Sequence, residues 1–481
     1  MSEPARHSEE SLRAPGAILL LSCYELGHAP LGLASPLAFL ESAGFRPVAQ
    51  DLATQRLNPA RVERARFVGI SVPMHTALRL GLRVAERVRE LNPGAHVCCY
   101  GLYAGLNAEL LLAGPADSTL GGEYEPALVA LLQALEAGTV PDAPGISTRE
   151  RRSGPRLERT AFVPPSRAHL PGLSGYARLE TPQGSRTVGY VEASRGCKHL
   201  CLHCPIPPAY GGRFFVVPRE VVLEDVAAQV AQGAEHITFG DPDFFNGPGH
   251  ALPLVRALHA RFPALSYDVT IKVEHLLRHR ELLPELARTG CLFIVTAAES
   301  LSDTVLAHLR KGHTRADIAE ALRLARAAGI ALRPTWVPFT PWATLEDTLE
   351  LLAFVWREGL VHHVDPVQFA IRLLVPPGSS LLDTPQFAPF QGPLDAGALS
   401  HTWRHPDPRM DALQQRVAAI VEAAGSGTSN TGDRTPQDAE TTFRAIHGAA
   451  LEAAGRSADP SLLPPGLAHA LAPRLSEPWF C

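Results

Sequence analysis

Residues 17–22, 67–72 and 95–100 are short, almost unbroken apolar runs, the pattern of strands buried on both faces. Between them, residues 34–43, 78–91 and 126–137 carry apolar side chains at helical spacing. Stop signals follow at Gly44 and at Asn92-Pro93-Gly94. Strands alternating with helices predict a parallel sheet with helices on both faces, a doubly wound domain over residues 16–140. Residues 1–15 are polar and read as a loose N-terminus.

Residues 141–186 lose the pattern. Pro141, Pro144, Pro155, Pro164, Pro165, Pro171 and Pro182 interrupt any regular element, which predicts a linker. The alternation then resumes. Strands are expected at 188–192, 237–239, 267–273, 291–296, 330–337 and 366–374. Helices are expected at 219–232, 253–261, 279–288, 315–328 and 345–358. This series predicts a partial (β/α)6 barrel over residues 187–395, and a helical region over 396–481 in which Gly425 to Gly432 form a flexible stretch. The expected fold class is therefore α/β: a Rossmann-like domain, a TIM-like partial barrel and a helical C-terminal region. In such barrels chemistry sits in the loops after the strands' C-terminal ends.

Composition narrows the class. At 481 residues with 46% hydrophobic and 19% charged, the chain can bury several cores. The net charge of -5 and the lack of a basic block do not favour a nucleic-acid substrate. No apolar run approaches the roughly 20 residues of a membrane span. The run 17–21 is interrupted by Cys23-Tyr24-Glu25 before any cleavage site, so a cytoplasmic location is expected. Eight cysteines are too sparse for a disulfide scaffold, yet three of them cluster. Lysine occurs only at Lys198, Lys272 and Lys311.

The cluster lies after the first expected barrel strand, in Ser194-Arg195-Gly196-Cys197-Lys198-His199-Leu200-Cys201-Leu202-His203-Cys204, spaced C-x3-C-x2-C. Thiolates suit an iron–sulfur cluster or zinc. Three cysteines on one loop hold three irons of a cubane and leave the fourth open. A zinc knot completed by His199 or His203 is the alternative reading. The spacing and its place after a first barrel strand resemble the radical S-adenosylmethionine (SAM) superfamily. The resemblance implies a 4Fe-4S cluster on Cys197, Cys201 and Cys204, reductive cleavage of SAM to a 5′-deoxyadenosyl radical, and an external electron donor such as flavodoxin or ferredoxin. It also assigns SAM-binding roles to His203, to Gly240, Asp241 and Asp243 after the second strand, to Lys272 and Glu274 after the third, and to Glu299 and Ser300 after the fourth.

Other segments resemble the cobalamin-linked members of that superfamily. Pro205-Ile206-Pro207-Pro208 with Gly211-Gly212-Arg213 follows the cysteines, and Arg372 to Ser379 resembles their closing strand. In the N-terminal domain, glycines and polar groups stand at strand ends, where the backbone approaches ligands closely. Ser71, Val72, Gly101, Gly121, Gly122 and Glu123 are the cobalamin-binding candidates that this resemblance implies. The Asp-x-His-x-x-Gly signature of a lower cobalt ligand is missing. The terminal Glu477-Pro478-Trp479-Phe480-Cys481 resembles a group whose tails end in Cys-Sec-Ala-Glu-Pro or Cys-Cys-Ala-Glu-Pro, which would make Cys481 half of a redox pair.

Together these readings give a cobalamin-linked radical SAM enzyme acting on a small molecule or peptide, with C-methylation the leading reaction. The alternatives are sulfur insertion or rearrangement without cobalamin, or a cluster-bearing redox sensor. The sulfur-inserting class usually carries a second cluster domain or an RNA-binding β-barrel, and the C-terminal region offers neither.

Overall fold

The computed structural model describes residues 11–426, 436–457, 463 and 466–477. Two sheets organise it. The first has the order β2-β1-β3-β4-β5-β6, with β1 Ile18–Ser22, β2 Val48–Asp51, β3 Phe67–Ser71, β4 His96–Tyr100, β5 Ser118–Leu120 and β6 Ile146–Thr148. Strands β1 to β5 are parallel, and β6 adds antiparallel to β5. Alternation explains why these runs are apolar throughout. Leu19, Leu21, Val68, Ile70 and Cys99 enter one core, while Ile18, Leu20, Phe67, Cys98 and Tyr100 enter the other. The order 2-1-3-4-5 is a doubly wound topology whose switch point lies between β1 and β3.

The second sheet has the order β14-β13-β12-β11-β8-β7-β17. Its strands are β7 Arg178–Thr181, β8 Gly184–Val191, β11 His236–Phe239, β12 Ser266–Thr270, β13 Cys291–Glu299, β14 Ala331–Trp336 and β17 Arg474–Leu475. From β8 to β14 the neighbours are parallel. A two-stranded ribbon of β9 Ser194–Gly196 and β10 Phe214–Val216 frames the cysteine loop. The hairpin β15 Gln391–Asp395 with β16 Ser400–Trp403 and the helices Pro408–Ser426 and Pro436–Ala453 complete the C-terminal part.

Three elements differ from the sequence expectation. The sixth barrel strand, expected over 366–374, is a 3-10 turn at Pro366–Ala370 followed by a lone parallel bridge from Phe339 to Arg372. Pro366 has no N–H for a ladder, and the Gln368 side chain accepts the Trp336 N–H (3.0 Å) at the edge of β14. Arg372 pairs with Asp411 (2.5 Å) and stacks on Trp403. The linker is more than a tether: β6 adds an edge strand to the first sheet, and β7 enters the second sheet between β8 and β17. Inside it, Arg167 is buried, forks onto Asp225 (2.5 and 2.9 Å) and donates to the Tyr190 carbonyl. The hairpin β15–β16 interrupts what reads as a helical region, and most of the glycine-rich stretch lies outside the described residues.

The chain's far end closes the molecule. Ser476 pairs with the Arg178 backbone, and Glu477 accepts from the Tyr24 hydroxyl (2.7 Å) beside β1. Cys481 lies outside the described residues.

Candidate functional site

The site is built on the C-terminal ends of β8, β11, β12 and β13. After β8 the chain turns through β9 into the cysteine loop. Gly196 takes φ +76°, and a Cβ there would fall 2.4 Å from the Arg213 carbonyl, so the turn into Cys197 needs glycine. Cys197 and Cys201 are buried and Cys204 nearly so. The Cys204 N–H donates to the Cys201 carbonyl (3.3 Å), and Leu202 is tied to the Leu309 carbonyl (3.0 Å). Burial pushes the Cys204 thiol up to about 12, and the nearby Cys201 and Cys197 sulfurs add to the rise. Burial disfavours a free thiolate at Cys197 and Cys204, and a bound metal would favour it by taking the proton's place. The Asn246 side chain lies 3.8 Å from the Cys197 sulfur and accepts the Lys198 N–H (3.2 Å), which orients the start of the loop.

Behind the thiols lies a buried ionic trio. The Lys311 ammonium is 3.1 Å from Glu299, and the His203 imidazole reaches the same carboxylate oxygen at 3.2 Å. Glu299 holds φ +65°, rare for a non-glycine residue, at a register shift where β13 leaves β14. Burial alone would raise its pKa, but Lys311 and His203 hold its carboxyl well below the usual carboxylate range. Burial likewise opposes the Lys311 charge, and Glu299 first, then Cys201 and Cys204, more than restore it. A buried cation beside the cysteines is electrostatically suited to thiolates.

The other expected positions are brought to the same end of the sheet, with differing occupations. Gly240 packs on Tyr190. Asp241 is turned inward, its oxygens accepting from the Ala193 N–H (2.8 Å) and the Ser194 hydroxyl (2.5 Å). Burial pushes its carboxyl up to about 7. Asp243 faces His199 and His275 and caps the turn at Phe245. Lys272 touches His199 (3.1 Å) and Glu274 (3.5 Å), and Lys272 and Glu274 lie above Gly312. The Ser300 hydroxyl accepts from the Ser302 N–H (3.0 Å). Asn246, His275 and Lys311 were not singled out as site residues in the sequence, and His199 only as a ligand in the alternative zinc reading. Lysine scarcity was the available signal for Lys311, and Asn246 and His275 carried none.

At the first sheet, Ser71, Val72 and Gly101 stand at the ends of β3 and β4. The Ser71 hydroxyl lies 3.4 Å from Glu25, and Val72 accepts from the Tyr103 N–H (3.1 Å). The Gly121-Gly122 pair after β5 is used by the chain itself. Arg156 N–H donates to the Gly121 carbonyl, the Glu123 N–H donates to the Arg156 carbonyl, and a Cβ on Gly122 would fall 2.2 Å from that carbonyl. Glu123 is fully buried, with Tyr210 at 3.2 Å and Arg195 at 3.8 Å. Arg195 also pairs with Glu125 and Glu192 (both 2.7 Å), so the residue that precedes Gly196 fastens the cysteine loop to the N-terminal sheet. Near the ends of β4 and β5, the oxygens Asn107 Oδ1, Thr119 Oγ1 and Glu123 Oε2 are buried and without a hydrogen-bond partner among the described residues. Unpaired buried acceptors fit a ligand rich in amide donors, as the corrin periphery of cobalamin is.

A parallel half-barrel with a three-cysteine loop after its first strand defines a radical SAM fold and site. Residues 191–352 match the radical SAM superfamily, so the chain carries a radical SAM domain; such a domain implies an enzyme that uses a 4Fe-4S cluster and SAM. The chain is similar to tRNA-2-methylthio-N(6)-dimethylallyladenosine synthase of Desulfosudis oleivorans, with 29% identity over 187 residues, 37% of this chain and 40% of that protein. It is also similar to hopanoid C-3 methylase of Methylococcus capsulatus, with 25% identity over 232 residues, 48% of this chain and 44% of that protein. It thus spans less than half the length of either relative. The fold is shared with the radical SAM methyltransferase TsrM from Kitasatospora setae, solved with cobalamin and a 4Fe-4S cluster (TM-score 0.59, 20% identity, 70% of this chain and 73% of that one). It is shared too with the cobalamin-dependent SAM radical enzyme OxsB (TM-score 0.71, 13% identity, 90% and 72%). No helix among the described residues is long and apolar enough to cross a membrane.

Proposed function

We propose that this protein is a cobalamin-linked radical SAM enzyme that methylates an unactivated carbon of a small molecule or peptide. The observation that carries the reading is the convergence of Cys197, Cys201 and Cys204 beside the buried Lys311–Glu299–His203 trio at the end of the half-barrel. When bound, the reduced cluster supplies the electron that cleaves SAM, and cobalamin supplies a carrier for the methyl group.

The protein's own residues do the rest. The three thiolates hold the cluster and leave one iron for SAM. Lys311 balances thiolate charge, while Glu299 sustains the Lys311 charge and holds His203 in place. Gly240, Lys272, Glu274 and Ser300, at the C-terminal ends of β11, β12 and β13, would offer backbone and polar groups for SAM's amine, carboxylate and ribose. Asp241 holds the Ala193–Ser194 turn. Cobalamin's seat is assigned to the ends of β3, β4 and β5, with Ser71, Val72 and Gly101 on the sheet side and the Asn107 and Thr119 oxygens, which lack hydrogen-bond partners among the described residues, as acceptors. The helix Leu102–Leu106 touches the helix Ile206–Tyr210 that follows the cysteines, which puts that sheet end next to the cysteine loop.

Methyl transfer is preferred over sulfur insertion because the other cysteines do not form a second cluster site among the described residues. Cys98 and Cys99 are neighbours on β4 and point into opposite cores, and burial drives both thiols up.

The test is anaerobic. Protein loaded with iron, sulfide and cobalamin is given SAM and a one-electron reductant. Formation of 5′-deoxyadenosine or S-adenosylhomocysteine, with cobalamin absorbance that survives gel filtration, is expected. An intact cluster that leaves SAM uncleaved and undemethylated would refute the enzyme reading. Full turnover without retained cobalamin would refute the cobalamin part.

A further inference from the structure

Beside the cysteine loop, three potential metal ligands meet from three strand-end segments. His199 lies within the loop, Asp243 follows β11, and His275 lies on the short helix Val273–Arg278 after β12. The Asp243 Oδ2 atom is 2.7 Å from His275 Nδ1 and 3.2 Å from His199 Nε2, and all three atoms lie within 4.8 Å of one another. Ligands held about 2.0–2.2 Å from one zinc ion lie roughly 3–4 Å apart; the 3.2 Å pair meets that spacing, and the 2.7 Å pair reaches it with a small outward shift of the side chains.

Directions matter as much as distances. His199 Nε2, Asp243 Oδ2 and His275 Nδ1 are all buried, and none makes a well-directed hydrogen bond among the described residues. Three buried ligand atoms that lie together without a well-directed hydrogen bond fit a cation bound among them. The surroundings supply an outer shell. The other oxygen of Asp243 accepts the Phe245 N–H (3.1 Å), which fixes the carboxylate. On the far side of His199, Nδ1 faces Glu274 Oε2 at 3.5 Å, the carboxylate partner that metal-bound imidazoles usually have. Lys272 stands at 3.1 Å from the same nitrogen. It competes for that atom when the metal is absent, because an ammonium only donates and therefore needs Nδ1 unprotonated.

We propose that His199, Asp243 and His275 bind a divalent first-row transition metal, with zinc the best match, in addition to the cluster held by the cysteines. Two imidazoles and one carboxylate leave coordination positions open, as in zinc sites with three protein ligands and in two-His-one-carboxylate iron sites. The ion ties the cysteine loop to the ends of β11 and β12. It also places a Lewis-acidic centre beside the proposed SAM pocket.

The experiment counts metal rather than activity. Full-length protein carrying its cluster is freed of loose metal and titrated anaerobically with Zn2+, while bound zinc, iron and acid-labile sulfide are measured. One tightly bound zinc per chain is expected above an unchanged iron and sulfide content. His275→Gln and Asp243→Asn should each weaken zinc binding by at least about tenfold, and Glu274→Gln by a factor at the lower end of about 10–100, with iron retained in all three. His275→Gln is the primary variant, since Asp243 also caps a turn. No zinc uptake, zinc that enters only as iron leaves, or zinc retained equally in His275→Gln and Asp243→Asn would overturn the site. Loss of the cluster from wild-type protein would instead count against the function proposed above, so the two failures are distinguishable.

Discussion

Two buried charges set the character of the site at the level of single residues. Lys311 and Glu299 are each less than one-tenth exposed, so either one alone would be an unpaired buried charge. Lys311→Met should therefore destabilise the fold by about 3–5 kcal/mol, and the paired change Lys311→Met with Glu299→Leu should recover most of that loss. Chemical denaturation of both variants checks this. Because Glu299's folded pKa is depressed, its contribution is present above its unfolded pKa of about 4.3 and fades as pH falls through the folded value. Asp241 has the opposite sign. Its folded pKa, about 7, lies above the unfolded value of roughly 3.9. Its contribution is full below the unfolded value and is lost as pH rises through 7. Asp241→Asn should thus flatten the decline in thermal stability between about pH 4 and 7. An unchanged slope in a melting series would show that Asp241 is already ionised at pH 5.

At the level of elements, the linker is a structural part of the molecule. Arg167 and Asp225 are both buried and joined by two parallel hydrogen bonds, which fasten the proline-rich segment to the helix Arg219–Ala231. Arg167→Ala should cost about 3–5 kcal/mol by stranding Asp225, and urea denaturation measures it. A loss below about 1 kcal/mol would mean that the fork is solvated and weak. This element also marks where sequence reading stops. Long apolar runs such as β1, β3, β4 and β13 declare themselves, because burial on both faces forces their composition. The linker strands β6 and β7 have only three and four residues. Their pairing is set by the neighbour they meet, and proline content hides them. The expected sixth strand fails for a related reason: its residues are apolar enough, but Pro366 and the Gln368 side chain break the ladder at β14.

Over the whole molecule, the cysteine loop was legible because spacing and strand context are local. The groups that surround it are not local. Arg195 meets Glu123 and Glu125 across 70 or more positions of sequence, and the His199–Asp243–His275 group joins three loops. Such convergence follows from the curl of the sheet and from the docking of the first sheet on the cysteine loop, neither of which a linear pattern records. The glycines after β5 show the reverse case. Their close-approach signal is real, but much of it serves the Arg156 backbone. The docking also explains why Arg195 stands next to the cluster loop: the N-terminal sheet positions the loop whether or not it also holds a cofactor.

The central claim is that Cys197, Cys201 and Cys204 together hold one 4Fe-4S cluster. It is tested most directly by counting iron and acid-labile sulfide in anaerobically reconstituted wild-type protein and in Cys197→Ala, Cys201→Ala and Cys204→Ala. The account predicts about four of each per wild-type chain, as a cubane bound through three cysteines requires, with each substitution abolishing the stable cluster and SAM cleavage with it. A full complement of iron and undiminished cleavage in any one of the three variants would contradict it.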